Sequence, residues 1–261
     1  MTLLTRTDAD HIAHIELNSP HNLNALSDAM IAALQAELDR LKDDRSVRAV
    51  ILSGAGKAFC AGHDLKEMQA ARQDEDGGTA AWGDLFARCS AMMQTIQSLP
   101  QPVIAQVHGI ATAAGCQLVA TCDMAVAADT TRFGVNGVNI GLFCSTPMVA
   151  LTRNVPRKQA FEMLTTGRFL QASEARDIGL INHAVPDAEL AGETRTLALT
   201  VAEKLPLAVK IGKQAFYTQS QMTTADAYVY TGQVMAENMD HAQTNEGISA
   251  FLEKRTPNWD T

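Results

Sequence analysis

The sequence lacks the features that direct a protein into a membrane or out of the cell. Among its 261 residues, no apolar run is long enough to span a bilayer. Residues 1–6 lack the charged and then apolar layout of a signal peptide. We therefore expect a cytoplasmic protein that has no membrane partner.

Positive charge and paired cysteines are also scarce. The 21 Lys and Arg residues against 29 Asp and Glu residues give a net charge of −8, which argues against nucleic acid as the main partner. The five cysteines are odd in number and lack the paired spacing of a metal site. We expect them to be reduced thiols, and we expect no metal site.

What the sequence does contain is enough apolar residues for one large core, 46% of the chain, with no repeat and no low-complexity linker. Apolar periodicity predicts strands at 11–17, 49–52, 103–107 and 124–128, and helices at 27–42 and 81–98. The polar segment 73–78 is predicted to be a mobile loop. From residue 146 onward the pattern is mostly helical, with one short strand at 182–185, so an α/β part precedes a helical third.

Single residues mark several predicted helix ends. Ser27 and Ser173 are predicted to be N-caps. Pro156 and Pro206 fit helix starts, and Gly179 fits a helix end.

Two small-residue loops carry the strongest functional signal. Residues 58–65 (AFCAGHDL) and 109–117 (GIATAAGCQ) each run into a predicted helix. The first N–H groups of a helix have no partner within it and carry partial positive charge. Two such donors aimed at one point form an oxyanion hole for an activated carbonyl such as a thioester. Taken singly, each loop could instead be an ordinary strand-to-helix turn, with close packing at the second and Asp64 as an N-cap at the first.

The two loops and their flanks resemble the crotonase superfamily, also called enoyl-CoA hydratase/isomerase, over nearly the whole chain. The resemblance rests on five motifs in family order, at residues 20–27, 58–68, 107–123, 133–141 and 173–181. It implies an α/β fold, a spiral of ββα turns with a helical C-terminal region. We expect residues 1–195 to form the spiral core and residues 196–261 a C-terminal helical trimerisation region, in a homotrimer or a dimer of trimers.

The resemblance also implies a ligand and its site. The ligand would be an acyl-CoA thioester, with CoA as part of the substrate and no prosthetic group. The oxyanion N–H donors would be those of His63 and Ala114. The residues implied to bind substrate and CoA are Asn22, Ala61, His63, Asp64, Leu65, Ala113 and Ala114.

The family pattern breaks at both acid positions. Hydratases of the family use two glutamates as general acid and base, and these positions are Gln117 and Gly137 here. Gln117 could orient water or substrate, but it cannot take up a proton near neutral pH. General acid–base participation is worth typically about 10²–10⁴-fold, so we expect standard hydratase activity to be weak or absent. Gln at the first acid position is similar to one branch of the family, and that likeness supplies no reaction.

Other residues could replace the missing acids or contact CoA, and each has a structural alternative. Cys144 could be a nucleophile or a packed thiol. The His63 side chain could reach solvent or a CoA phosphate, or take part in catalysis. Asn136 and Asn139 could orient water or serve turns. His108 and Asp123 are expected to have structural roles. Four cations could bind a CoA phosphate or could simply be exposed on the surface, namely Arg157, Lys158, Lys210 and Lys213.

Two classes of function follow. The first is a lyase or isomerase of fatty acid metabolism that stabilises a thioester enolate or tetrahedral oxyanion. The second is a non-catalytic protein that binds acyl-CoA or responds to it, which the absence of both glutamates favours. A serine protease of the related Clp fold would need a Ser–His–Asp set, and none can be assigned.

Overall fold

The computed structural model describes residues 2–259. Its nine strands within that range form a six-stranded sheet in the order β1-β2-β3-β4-β6-β9 and a three-stranded sheet in the order β5-β7-β8. Their bounds are β1 Leu4–Ala9, β2 Ile12–Leu17, β3 Ala49–Gly54, β4 Val103–Val107, β5 Ile110–Thr112, β6 Met124–Ala128, β7 Arg132–Gly134, β8 Phe169–Gln171 and β9 His183–Val185. Only the β1–β2 and β7–β8 pairs are antiparallel among these.

Helices connect and cover these strands. Their bounds are α1 Asp28–Leu41, α2 Leu65–Ala70, α3 Thr79–Ser98, α4 Ala114–Thr121, α5 Ser145–Asn154, α6 Arg157–Thr166, α7 Ala172–Asp177, α8 Leu190–Ala202, α9 Pro206–Gln219, α10 Thr224–Met239 and α11 Ala242–Glu253. Within residues 2–259, no helix is both long and apolar enough to cross a membrane.

Strand β3 shows how the main sheet is buried on both faces. Val50 and Leu52 join the large core cluster, whereas Ala49 and Ile51 pack in a second cluster with residues of α8. Successive side chains of a strand point to opposite faces, so a parallel strand between two layers is apolar throughout. The first layer contains α1 and α3, which pack on each other, and the second contains α8.

The predicted boundary between residues 195 and 196 falls inside α8, which packs against β2, β3, β4 and β6. The turns of α8 after this point therefore pack on the same sheet as those before it. The division into a core and a trimerisation region stays a prediction.

Most predicted helix ends agree with the structure. The Ser27 hydroxyl accepts the Met30 N–H at the start of α1, and Gly179 has a φ of +82° just after α7. The cap at Ser173 is wrong, because α7 begins one residue earlier, at Ala172. The Glu174 carboxylate instead reaches back to accept the Gln171 N–H at 2.9 Å.

The C-terminal helices differ in how they are held. Helix α9 is anchored by Lys213, whose Nζ donates to the carbonyls of Ile96 and Gln101 and to the Asp123 carboxylate. Helix α10 buries none of its residues. Helix α9 is thus fixed to the rest of the protein by a buried side chain, whereas α10 has no buried residue.

Candidate functional site

The first loop lies between the segment before α1 and the strand β5. The Leu26 N–H donates to the Gly62 carbonyl at 2.7 Å, and the Ala61 N–H donates to the Leu23 carbonyl at 3.0 Å. On the other side, the Thr112 N–H donates to the Cys60 carbonyl at 3.1 Å. The backbone on both sides therefore fixes the loop that ends at His63.

The second loop is a sharp turn from β5 into α4. Ala113 has a φ of +50° and a ψ of −120°, and residues other than glycine rarely adopt a positive φ. Its N–H donates to the Gly134 carbonyl at 2.9 Å, and its carbonyl accepts the Gln117 N–H at 3.0 Å. Strain of this kind persists only where the surroundings hold it, and it clusters at functional sites.

The two loops touch, and glycines allow them to do so. A Cβ on Gly62 would lie 2.9 Å from the Ala113 Cβ and 3.3 Å from the Ala114 nitrogen. A Cβ on Gly115 would lie only 2.1 Å from the Cys60 carbonyl oxygen. The first turn of α4 is therefore packed directly on the loop that precedes His63.

The backbone N–H groups of His63 and Ala114 donate to no acceptor within residues 2–259. The Ala114 N–H is at the N-terminal end of α4, where the helix macrodipole favours negative charge. Both groups are thus free to donate to a ligand oxygen, as an oxyanion hole requires. Their roles as donors to a thioester remain a prediction.

The His63 side chain packs inward rather than towards a phosphate. Its ring meets Phe86 edge to face, with 5.6 Å between centroids, and both ring nitrogens are buried without a hydrogen-bond partner among the described residues. Burial is the largest influence on the pKa of His63, and it lowers that pKa. A ring that is neutral near pH 7 is a poor partner for a CoA phosphate.

Gln117, the residue predicted at the first acid position, lies one helical turn after Ala114 on α4. Its side chain is 5% exposed, and its Oε1 atom has no hydrogen-bond partner in the described part of the chain. It lines a cavity of about 330 Å³ between α3, α4 and α5. An amide here can orient a polar group, and it has no proton to exchange.

Gly137, the residue predicted at the second acid position, lies in a 3₁₀ turn over Asn136–Ile140. A Cβ there would lie 2.3 Å from the Leu142 carbonyl oxygen and 2.9 Å from the Cys144 sulfur. The Leu142 N–H also donates to the Gly137 carbonyl at 3.0 Å. A side chain at residue 137, a glutamate included, would therefore force this segment to shift.

Cys144 is a packed thiol. It is 6% exposed, and burial raises the pKa of its thiol. A nucleophilic cysteine needs the thiolate, which this environment disfavours. The surroundings of Cys144 therefore support its structural role as a packed thiol.

Comparisons with known proteins agree with this fold and these motifs. Residues 7–261 match the family model described as enoyl-CoA hydratase/isomerase. The chain belongs to the enoyl-CoA hydratase/isomerase family. This membership, with the structural neighbours below, confirms the predicted crotonase fold.

Several similar proteins share one name. Enoyl-CoA hydratase domain-containing protein 3, mitochondrial, is 46% identical in Homo sapiens over 250 residues, which are 96% of this chain and 81% of that protein. The Xenopus laevis protein of this name is 45% identical over 259 residues, 99% of this chain and 86% of its own. The crystal structure of the human protein matches with a TM-score of 0.94 and 44% identity, covering 99% of this chain and 100% of that one.

A crystal structure of an enoyl-CoA hydratase from Mycobacterium smegmatis is 51% identical to this chain, with a TM-score of 0.95 and 100% of both chains covered. The predicted resemblance to one branch of the family, which includes Gln at position 117, is confirmed, and that branch is enoyl-CoA hydratase domain-containing protein 3. The predicted cytoplasmic location is contradicted, since the animal relatives of that name are called mitochondrial.

Several other candidates in this family member have structural partners. The Asp64 carboxylate caps α2 by accepting the N–H groups of Lys66 and Glu67, and the Asn136 side chain accepts the Thr112 hydroxyl. His108 Nε2 lies 2.9 Å from the Gly56 carbonyl oxygen. These contacts fit an N-cap role for Asp64 and a structural role for His108.

Asp123 and Lys213 form a buried ion pair at 2.6 Å, and the Tyr217 hydroxyl donates to the same carboxylate at 2.9 Å. Lys213 is 8% exposed, so it is neither a surface cation nor placed to bind a phosphate. The other three cations proposed for CoA phosphates are exposed, namely Arg157, Lys158 and Lys210.

The predicted substrate and CoA contacts differ in exposure. Leu65 is 53% exposed at the start of α2, and Ala61 and Ala113 are partly exposed. Asn22 ends a 3₁₀ turn, and its Oδ1 atom is buried without a hydrogen-bond partner within the described range. Their contacts with a ligand remain predictions.

Asn24 is fully buried, and it was not among the predicted site residues. Its Nδ2 donates to the carbonyls of Ala55 and Ala58 at 2.8 Å, and its Oδ1 accepts the Ser19 N–H. It therefore fastens the segment before α1 to the loop that ends at His63. The signal available was a second asparagine in the motif at residues 20–27.

Proposed function

We propose that this protein binds an acyl-CoA thioester and stabilises negative charge on the thioester oxygen with the N–H groups of His63 and Ala114. The observation that carries the proposal is the contact between the two loops at Gly62, with both N–H groups free. An oxyanion donor of this kind is worth roughly 3–4 kcal/mol in the transition state. CoA enters as part of the substrate, and the proposal includes no prosthetic group.

We also propose that ordinary hydration of an enoyl thioester is weak or absent. Hydration needs a group that removes a proton from water and another that protonates the α-carbon. Gln117 offers neither, Gly137 has no side chain and no room for one, and burial keeps the Cys144 thiol protonated. The lyase or isomerase chemistry implied by the family then requires a different proton route.

The second candidate is a non-catalytic acyl-CoA binding or regulatory protein. The observation that favours it is the packing around residue 137, where the Leu142 carbonyl fills the space of a side chain. A site that keeps its oxygen-binding loops and closes its acid position is suited to holding a thioester without converting it.

We propose that the chain assembles as a homotrimer or a dimer of trimers through its C-terminal helices. On α10, Tyr228 is 77% exposed and Met235 is 63% exposed, and on α11 Phe251 is 82% exposed. Exposed apolar residues gathered on neighbouring helices mark an interaction surface. Size-exclusion chromatography with light scattering tests this, and a monomer would contradict it.

One experiment separates the two candidate functions. The pure protein is incubated with crotonyl-CoA and a panel of acyl-CoA thioesters, and both binding and product are measured. Binding without product across the panel supports the non-catalytic candidate, and product from any thioester supports the enzyme. Rapid hydration of crotonyl-CoA would contradict the inference from Gln117 and Gly137. No binding at all would overturn the proposal.

A further inference from the structure

The geometry points to a polar acyl-end subsite beside Gln117 that selects acyl chains bearing a hydroxyl group beyond the third carbon. This inference rests on the proposed function and names the substrate class of the same site. The polar acyl-end subsite is the cavity of about 330 Å³ between α3, α4 and α5.

Position along α4 places this subsite one helical turn from the proposed oxyanion hole. Gln117 follows Ala114 by three residues, so both lie on one face of the helix, about 4.5 Å apart along its axis. Side chains of a helix lean towards its N-terminus, which here is the end that carries the Ala114 N–H. An acyl chain whose thioester oxygen meets that N–H can therefore extend along the Gln117 face.

The walls of the subsite are polar, unlike those of a site for a plain hydrocarbon chain. Apolar Met93, Val149 and Ala150 are outnumbered by side chains with hydrogen-bonding groups. These polar members include Ser90 and Gln94 from α3, Gln117 and Thr121 from α4, and Thr146 and Arg153 from α5. An alkyl end would cover these groups without replacing the hydrogen bonds that they make to water.

Gln117 determines which chemical group of the acyl chain the subsite can bind. It is 5% exposed, and its Oε1 atom has no hydrogen-bond partner among the described residues. A half-turn of the amide exchanges its oxygen and nitrogen, so a group that both donates and accepts fits either orientation. A hydroxyl does both. A carboxylate only accepts, and the one cation in the wall, Arg153, is exposed and already donates to the Val149 carbonyl.

The test compares two CoA thioesters that differ in one atom group. These are 4-hydroxybutyryl-CoA and pentanoyl-CoA, in which a methyl replaces the hydroxyl. Both chains are saturated and cannot be hydrated, so calorimetry measures binding alone. We expect 4-hydroxybutyryl-CoA to bind about tenfold more tightly than pentanoyl-CoA. Its hydroxyl makes one hydrogen bond with the Gln117 amide, which pentanoyl-CoA would leave buried and unpaired.

Variants assign the preference to the subsite. Gln117→Leu should abolish or reverse the preference, and Thr146→Val should reduce it. The matched control Gln73→Leu, an exposed glutamine outside the subsite, should keep it. Thermal unfolding shows whether each variant is folded, and the Thr146→Val result stands if Gln117→Leu does not fold.

The outcomes distinguish this inference from the proposed function. Equal binding of both thioesters overturns the subsite and leaves the proposed function intact. Tighter binding of glutaryl-CoA than of either, lost in Arg153→Gln, overturns the hydroxyl assignment in favour of a carboxylate. If neither thioester binds, the proposed function and the subsite both fail.

Discussion

The two halves of the proposed site differ in how well they fit the chemistry of a hydratase. At the half proposed to bind oxygen, Gly62 and Gly115 let two loops meet with unpaired N–H groups at His63 and Ala114. At the half that would move protons, Gly137 is packed under the Leu142 carbonyl. Glycine therefore has different effects in the two halves. Gly62 and Gly115 allow the two loops to make close contact, whereas Gly137 stands where a side chain would collide with the Leu142 carbonyl.

The proposed function separates the electrostatics of the site from its acid–base groups. The N–H donors are properties of backbone conformation, so they depend on how loops pack. Proton transfer depends on single side chains, and we propose that Gln117 and Gly137 cannot supply it. The predictions below test the two halves in turn.

The largest expected effect is on the packing of the half that binds oxygen. We expect Gly115→Ala to reduce the free energy of unfolding by about 3 kcal/mol or more, because the new Cβ would lie 2.1 Å from the Cys60 carbonyl oxygen. Urea unfolding measures this. Gly212→Ala is the matched control on α9, where a Cβ meets nothing within 4 Å, and it should raise stability by roughly 0.5–1 kcal/mol. A stable Gly115→Ala protein would contradict the described contact.

The second prediction addresses the closed acid position. Gly137→Glu should lower the free energy of unfolding by about 1–3 kcal/mol, since its Cβ would lie 2.3 Å from the Leu142 oxygen. Gly192→Glu, in open space on α8, is the control and should change stability little. The double variant with Gln117→Glu should still fail to hydrate crotonyl-CoA. Hydration by that variant would show that the acid position is only unoccupied and not closed.

The third prediction separates the loops without removing a side chain. In Gly62→Ala the new methyl would press on Ala113 at 2.9 Å, so we expect the affinity for an acyl-CoA to fall roughly tenfold. Calorimetric titration is the measurement. Gly77→Ala also places alanine at a positive φ, with nothing within 4 Å, and should bind normally. Equal affinities for the two variants would mean that loop contact does not support binding.

The smallest expected effect is a pH dependence from His63. Burial lowers its folded pKa, so the native state prefers the neutral ring. Below the unfolded pKa of about 6.5, the unfolded chain binds a proton that the folded chain resists, and stability is lost as pH falls. His63→Leu should therefore lose less stability than the parent protein between about pH 7.5 and 5.5. His21→Leu, on the surface, should follow the parent.

Local features were predictable from the sequence because their causes lie within a few residues. Ser27 caps α1 through Met30, and α9 begins at Pro206. The two loops were also predictable, since their small residues and following helices are adjacent in the chain. The N-cap predicted at Ser173 was wrong because the carboxylate of the next residue, Glu174, accepts the Gln171 N–H at the N-terminus of α7.

Distant contacts could not be predicted in the same way. Lys213 looked like a surface cation because its partner, Asp123, is 90 residues away in sequence. At residue 137 the sequence showed that an acid was absent, but not that the Leu142 carbonyl fills its place. The predicted cytoplasmic location was wrong for another reason. It was inferred from the N-terminal residues, and the names of the mitochondrial relatives contradict it.

The most direct test of the central claim is the infrared spectrum of bound crotonyl-CoA labelled with carbon-13 at the thioester carbonyl. Two N–H donors at His63 and Ala114 should polarise the carbonyl, so its stretching band should move to lower frequency on binding. The shift should be smaller in Gly62→Ala, and no hydrated product should form. An unshifted carbonyl band in the bound complex, or rapid hydration, would contradict a site that has kept its oxygen-binding half and lost its proton-transfer half.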